Sequence, residues 1–222
     1  MFKLFLTLCL LPLSAVAEVG VADVFAAKQI TEEPKYLGLA LNKIRVDEAM
    51  ITPGCMAIED ISSTYVAPLT KIETLAGGKA VHAGGWMAGY EVDVCGETQK
   101  RNLIFLHYPS SAPEQNIKIL TALPGETMAS PDLQKMAAGD FKKSFYRLSG
   151  VCDSKEFVIT DTEVISAPRT GRWQEVWHAR VCGQEVKNTV DFVTTYKGGI
   201  LPRIPVWDGL KKLQQEGTDD ES

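Results

Sequence analysis

The chain has 222 residues, 45% of them hydrophobic, with 23 Lys and Arg against 28 Asp and Glu and a formal net charge of −5. That length suffices for one large domain or two small ones, and the composition is ordinary for a globular protein. The acidic balance excludes a general nucleic-acid or anionic-membrane surface, since either needs clustered Lys and Arg.

Residues 1–17 carry Lys3, an apolar run from Leu4 to Leu13 and the small-residue ending Ala15-Val16-Ala17 before Glu18. This is the layout of a secretory signal, with cleavage expected after Ala17. The run is shorter than the roughly 20 residues that span a bilayer, and no second run follows. A soluble mature protein in the periplasm or outside the cell is therefore expected. Leu8 stands before Cys9 where a lipid-anchored cysteine would have a small residue, so no lipid anchor is expected. Cleavage removes Cys9 and leaves Cys55, Cys95, Cys152 and Cys182. An even number in an oxidising compartment predicts two disulfides, with three connectivities open to four cysteines.

In chain order, Thr31 and Pro34 open a helical pattern of Tyr36, Leu37, Ala40, Leu41, Ile44 and Met50. Strands are predicted at 56–61, 65–75 with a break near Pro68, 85–95, 102–108 and 116–121. Ser130 can cap a second helix with Pro131 and Asp132 in its first turn and an apolar stripe of Leu133, Met136, Ala137, Phe141 and Phe145. Strands at 156–165, 172–182, 189–196 and 200–206 follow, then a short helix at 208–216. Trp86, eight residues, Cys95 and Gly96 recur 87 positions later as Trp173, eight residues, Cys182 and Gly183. Agreement of two rare residue types at one offset points to a duplicated unit. The expected fold is α+β: two tandem repeats, each a helix followed by an antiparallel β-meander with one disulfide, Cys55–Cys95 and Cys152–Cys182. The domain reading is a signal at 1–17, one repeat at 18–123, a second at 124–216 and a disordered tail at 217–222.

Glu175-Val176-Trp177, followed after four residues by Cys182-Gly183, resembles a strand motif of small exported proteobacterial proteins to which no function is assigned. The first copy departs from it, with Gly89 and Tyr90 in place of Val176 and Trp177. The resemblance implies no catalytic residue. The order of helix then meander is similar to the cystatin-like plan.

Period-two reading places Trp86, Ala88, Tyr90, Val92 and Val94 on one face of the first Cys-Gly strand, and Trp173, Trp177, Ala179 and Val181 on that face of the second. These are core positions. The other face carries Glu91 and Asp93 in one copy and His178 and Arg180 in the other, the four candidate binding residues. Opposite charges at equivalent positions would let the copies face each other, or would lie on two solvated faces. Parity also puts Cys95 and Cys182 on this polar face, away from their expected partners. His82, His107 and His178 have no metal-site spacing, so neither metal nor cofactor is expected. His107 reads as a surface or capping residue, and the glycine pairs 77–78 and 84–85 around His82 as turns or a binding loop. No Gly-x-Ser-x-Gly or phosphate-binding glycine loop occurs. The function expected is a non-catalytic binding or interaction module for another exported protein or a small ligand. The alternatives are a small periplasmic hydrolase using His107 or His178 with an acidic partner, and a protease inhibitor or chaperone-like module.

Overall fold

Proline sets the start of two of the three helices among the described residues. Pro34 opens α2 (Pro34–Ile51) and Pro131 opens α3 (Pro131–Ser149), where a missing N–H costs nothing. The Ser130 hydroxyl accepts the Leu133 N–H at 3.4 Å, as the sequence predicts. The computed structural model describes residues 19–55, 57–75, 81–109, 116–149, 157–169, 171–181 and 183–205.

A further helix, α1 (Val21–Thr31), precedes α2 and is not among the predicted elements. Its apolar residues point all round: Ala27 and Ile30 are buried while Val21 and Phe25 are exposed, so no single stripe marks it. Asp23 anchors it. That carboxylate accepts the Gly20 N–H and the Ile72 N–H, both at 2.8 Å, and these bonds, Ile72 first, hold its pKa below the usual carboxylate range.

The strands form two antiparallel sheets, giving an α+β fold. The first runs β1 (Ile58–Pro68), β3 (Val81–Val94), β4 (Glu97–His107), β5 (Ile117–Thr121), with the two-residue β2 (Glu73–Thr74) on β3. The second runs β6 (Phe157–Arg169), β7 (Arg172–Val181), β8 (Gln184–Thr194), β9 (Ile200–Arg203). Several predicted boundaries need correction. The strands expected at 56–61 and 65–75 are one strand, β1, irregular at Glu59/Ser62 and Ser63/Tyr65, followed by the separate β2. β4 and β8 begin five residues earlier than expected. Their first residues are polar and exposed, and period-two apolar patterning cannot register them.

Those early starts follow from a two-residue turn. Val94 pairs with Glu97, leaving Cys95 and Gly96 at φ 54° and 86°. Two left-handed residues make the type I′ hairpin turn that matches strand twist and that glycine adopts freely. The Asp93 carboxylate accepts the Gly96 N–H at 2.7 Å. At the turn the strand alternation ends, which removes the parity conflict: Cys95 reaches Cys55 across a Cα–Cα distance of 6.0 Å and the disulfide forms. Val181 pairs with Gln184 around the corresponding Cys-Gly position. Cys152, Cys182, the signal, the helix predicted at 208–216 and the tail lie outside the described residues.

Both strand faces expected to be apolar are buried. Trp86, Ala88, Tyr90 and Val92 are wholly enclosed in a core with α1 and α2, and Trp173, Trp177, Ala179 and Val181 in a core with α3. Removing the Cys55–Cys95 bridge, which closes 40 residues, by the double change Cys55→Ser, Cys95→Ser is expected to lower the unfolding free energy by about 3 to 4 kcal/mol. Urea denaturation of the variant beside the parent measures this.

Candidate functional site at the junction of the two sheets

Residues 122–130 connect the sheets, and their backbone polar groups are met from both sides. From β4, the Asn102 carbonyl accepts the Ala122 N–H and the Lys100 carbonyl the Gly125 N–H, each at 2.9 Å. The buried Asn102 amide donates to the Leu123 and Gly125 carbonyls, while its oxygen accepts the Tyr65 hydroxyl at 2.9 Å. Burial raises that phenol to about 12. The Tyr65 ring occupies the space beside Gly89 that a Cβ would fill, which is why the first hairpin has glycine where the second has Val176. From β6, the Thr162 carbonyl accepts the Glu126 N–H and the Thr162 hydroxyl donates to the Pro124 carbonyl. Gly125, at φ 83°, lies so close to the Thr162 backbone that any side chain there would collide with it.

The connection ends on a buried carboxylate. Glu175 of β7 is fully enclosed and accepts Trp173 Nε1, Trp177 Nε1 and the Met128 N–H, each at 2.9 Å, together with the Thr127 hydroxyl. Parity places it between two core tryptophans, so the strand alternation carried the signal for it, although its charge disguises a core position. At the matching place in β3, Ala88 lies between Trp86 and Tyr90. The Trp86 indole N–H and Tyr90 hydroxyl are buried without a hydrogen-bond partner among the described residues. The first core holds its buried charge elsewhere, as an ion pair of Glu48 on α2 with Arg101 on β4.

Beside the connection lies an apolar groove of about 670 Å³. Its walls are Ile51 at the end of α2, Leu120 of β5, Leu123 of the connection, Ala138 of α3, and Phe157 and Ile159 of β6. Asp47, which is tied to Lys43 and Thr121, and Asp132 and Lys135 of α3 supply polar groups at its lining. A second cleft, of about 350 Å³, is lined by residues that include Tyr65, Glu91, Lys100 and Glu126.

The four candidate residues each have their own partners. Glu91 stands across the ladder from Lys100, whose ammonium pairs with Glu126 and is held above its usual pKa by that carboxylate first, then by Glu91 and Asp161. Asp93 is engaged in the Cys-Gly turn. His178 Nε2 is 3.2 Å from Glu163 and lies across from Asp161, whose pKa burial raises. Arg180 donates to the Met50 and Ile51 carbonyls at 2.5 and 2.9 Å, so it caps the carboxy-terminal end of α2 from the second sheet. Arg180 therefore joins the second sheet to α2, and Glu91 and Asp93 are not among its partners.

His107 is a core residue, in contrast to the surface or capping role expected. It stacks on Trp86 with ring centroids 5.7 Å apart, and its Nε2 shares a 3.2 Å hydrogen bond with the Tyr36 hydroxyl. Burial first, and then Lys35, lowers its pKa to about 4. Among the described residues no group of three or more His, Cys, Asp or Glu could hold a metal ion. Comparison with known proteins gives no match to any family model, curated protein or solved structure.

Two outcomes are expected from these groups. Glu175→Ala leaves two indole N–H groups, one backbone N–H and one hydroxyl without their acceptor and should cost about 3 to 5 kcal/mol in urea denaturation, with Glu175→Gln costing less because one acceptor oxygen remains. For His107, the folded pKa of about 4 lies below the ordinary 6.5, so the unfolded chain takes up the proton first. The stability it confers is complete above pH 6.5 and is lost as pH falls toward 4, by about 2 to 3 kcal/mol. His107→Phe should flatten that part of the stability profile, measured by denaturation across the pH range.

Proposed function

We propose that the protein is an exported, non-catalytic binding module built from two copies of one helix-and-meander unit, with the apolar groove between them as its ligand seat. The groove carries this reading. Its volume falls within the roughly 300–1,000 Å³ of small-molecule sites, and its apolar walls with a few polar groups are the usual composition of such sites.

Several features support the remaining parts. The Trp86–Phe105 stack, with centroids 5.2 Å apart, has a counterpart in Trp173–Phe192 at 4.6 Å, at the same offset as the Cys-Gly pairs. Gly183, like Gly96, has a positive φ. On this reading Cys152 pairs with Cys182. The Cys55–Cys95 disulfide and the signal-like layout of residues 1–17 favour the periplasm or the exterior, and no described helix is long and apolar enough to cross a membrane. His178 pairs with Glu163 while both remain partly exposed, and His107 is enclosed with Tyr36, so neither presents the nucleophile-and-base arrangement of a hydrolase.

The purified, oxidised protein should bind a fluorescent apolar fatty acid, read as enhanced emission on titration. Ala138→Trp, which places a ring in the groove, should weaken that binding at least tenfold, and Ala138→Leu by a smaller factor. Unchanged binding in both folded variants, or turnover of hydrolase substrates abolished by a single His178 substitution, would overturn the reading.

A further inference from the structure

The two strands beside the groove share a property that neither helix has: each is an edge. Among the described residues β5 pairs with β4 alone and β6 with β7 alone, so each turns an edge of backbone N–H and C=O groups away from its sheet, which on β6 is met by the Glu126 N–H at Thr162. The connection already lies against both sheets. Its Gly125 N–H bonds to Lys100 of β4 and its Glu126 N–H to Thr162 of β6. The seam between the sheets is thus closed by a bend of the chain at Pro124 and Gly125, and the groove lies beside it where Leu120 and Ile159 line the walls.

We propose that the groove takes an extended apolar polypeptide segment, which adds as a strand along the edge of β6 at residues 157–159. This rests on the reading of the groove as the ligand seat and specifies its occupant. Strand addition draws affinity from main-chain hydrogen bonds and selectivity from pockets that receive alternate side chains. Both are present. Residues Phe157, Val158 and Ile159 keep unbroken register with β7, and the irregularities of β6 begin only after Ile159, toward the part that the connection covers. Bulges, proline and lysine are the usual guards of an edge, and 157–159 have none of them. The facing walls, Leu120, Leu123 and Ile51, are apolar, so the side chains directed into the groove are those of valine, leucine or isoleucine. Asp132 and Lys135 at the lining offer opposite charges, which favours a segment without net charge. At about 3.3 Å per residue, the stretch 157–159 engages about three residues of the incoming strand.

The test uses four probes on the full oxidised protein by isothermal titration: a blocked hexapeptide of alternating valine and serine, the same peptide N-methylated on one set of alternate amides, the same peptide N-methylated on the other set, and a medium-chain fatty acid. The expected result is that the hexapeptide binds, that N-methylation on one set of alternate amides weakens it at least tenfold while the other set does not, and that Ala138→Trp abolishes binding. Equal binding of all peptide forms, or a hexapeptide affinity untouched by Ala138→Trp, overturns strand addition. If the fatty acid binds and the hexapeptide does not, strand addition falls and the groove remains a ligand seat. If no probe binds, both readings fall.

Discussion

Nine residues, 122–130, have to pass from one hydrophobic core to the next, and Ala122, Pro124, Gly125 and Ala129 among them are buried and need partners for their peptide groups. An unpaired buried peptide group costs on the order of 1 to 3 kcal/mol, so the route is dictated by where partners exist. Asn102 supplies them at one end, Thr162 in the middle and Glu175 at the other. Gln134 adds its own, accepting the Leu123 N–H and donating to the Ala129 carbonyl. Because the donors and acceptors come from β4, β6, β7 and α3 together, the connection holds the two sheets in one arrangement rather than linking two free bodies.

The groove is a consequence of that arrangement. Where the connection bonds to both sheets the seam is closed, and where Leu120, Leu123 and Ile159 meet, apolar side chains offer the backbone no partner and the space stays open. Arg180 fixes another side by capping α2 from the second sheet. A charge that the strand pattern marks as a binding candidate is thereby used to set the position of Met50 and Ile51 beside the groove.

The two cores handle polarity differently. In one, Glu48 on a helix meets Arg101 on a strand. In the other, Glu175 on the central strand gathers two indoles and the end of the connection. Ala88 in the first strand leaves Trp86 and Tyr90 with polar atoms that have no partner among the described residues. One buried carboxylate is met by a guanidinium and the other by neutral N–H and O–H donors, which gives the central strands different demands even though their apolar faces read alike.

Much of the framework was legible in the chain. Pro34 and Pro131 announce their helices and alternation puts Trp86 and Trp173 inside, because these signals act through local φ restriction and side-chain parity. Helix α1 was not legible, since its burial depends on what packs against it, nor was the start of β4, whose residues from Glu97 to Lys100 are polar. His107 could not be recognised as a core residue, because nothing in its neighbours in sequence reveals Trp86 and Tyr36 around it. The site depended most on tertiary structure. Sequence alone determined which residues alternate and where prolines open helices, as these are properties of adjacent residues. Only the packing of the sheets decided that Arg180 caps a helix, that Glu175 holds the connection and that two strand edges flank an open groove, because each of these joins residues whose separation along the chain carries no local signal.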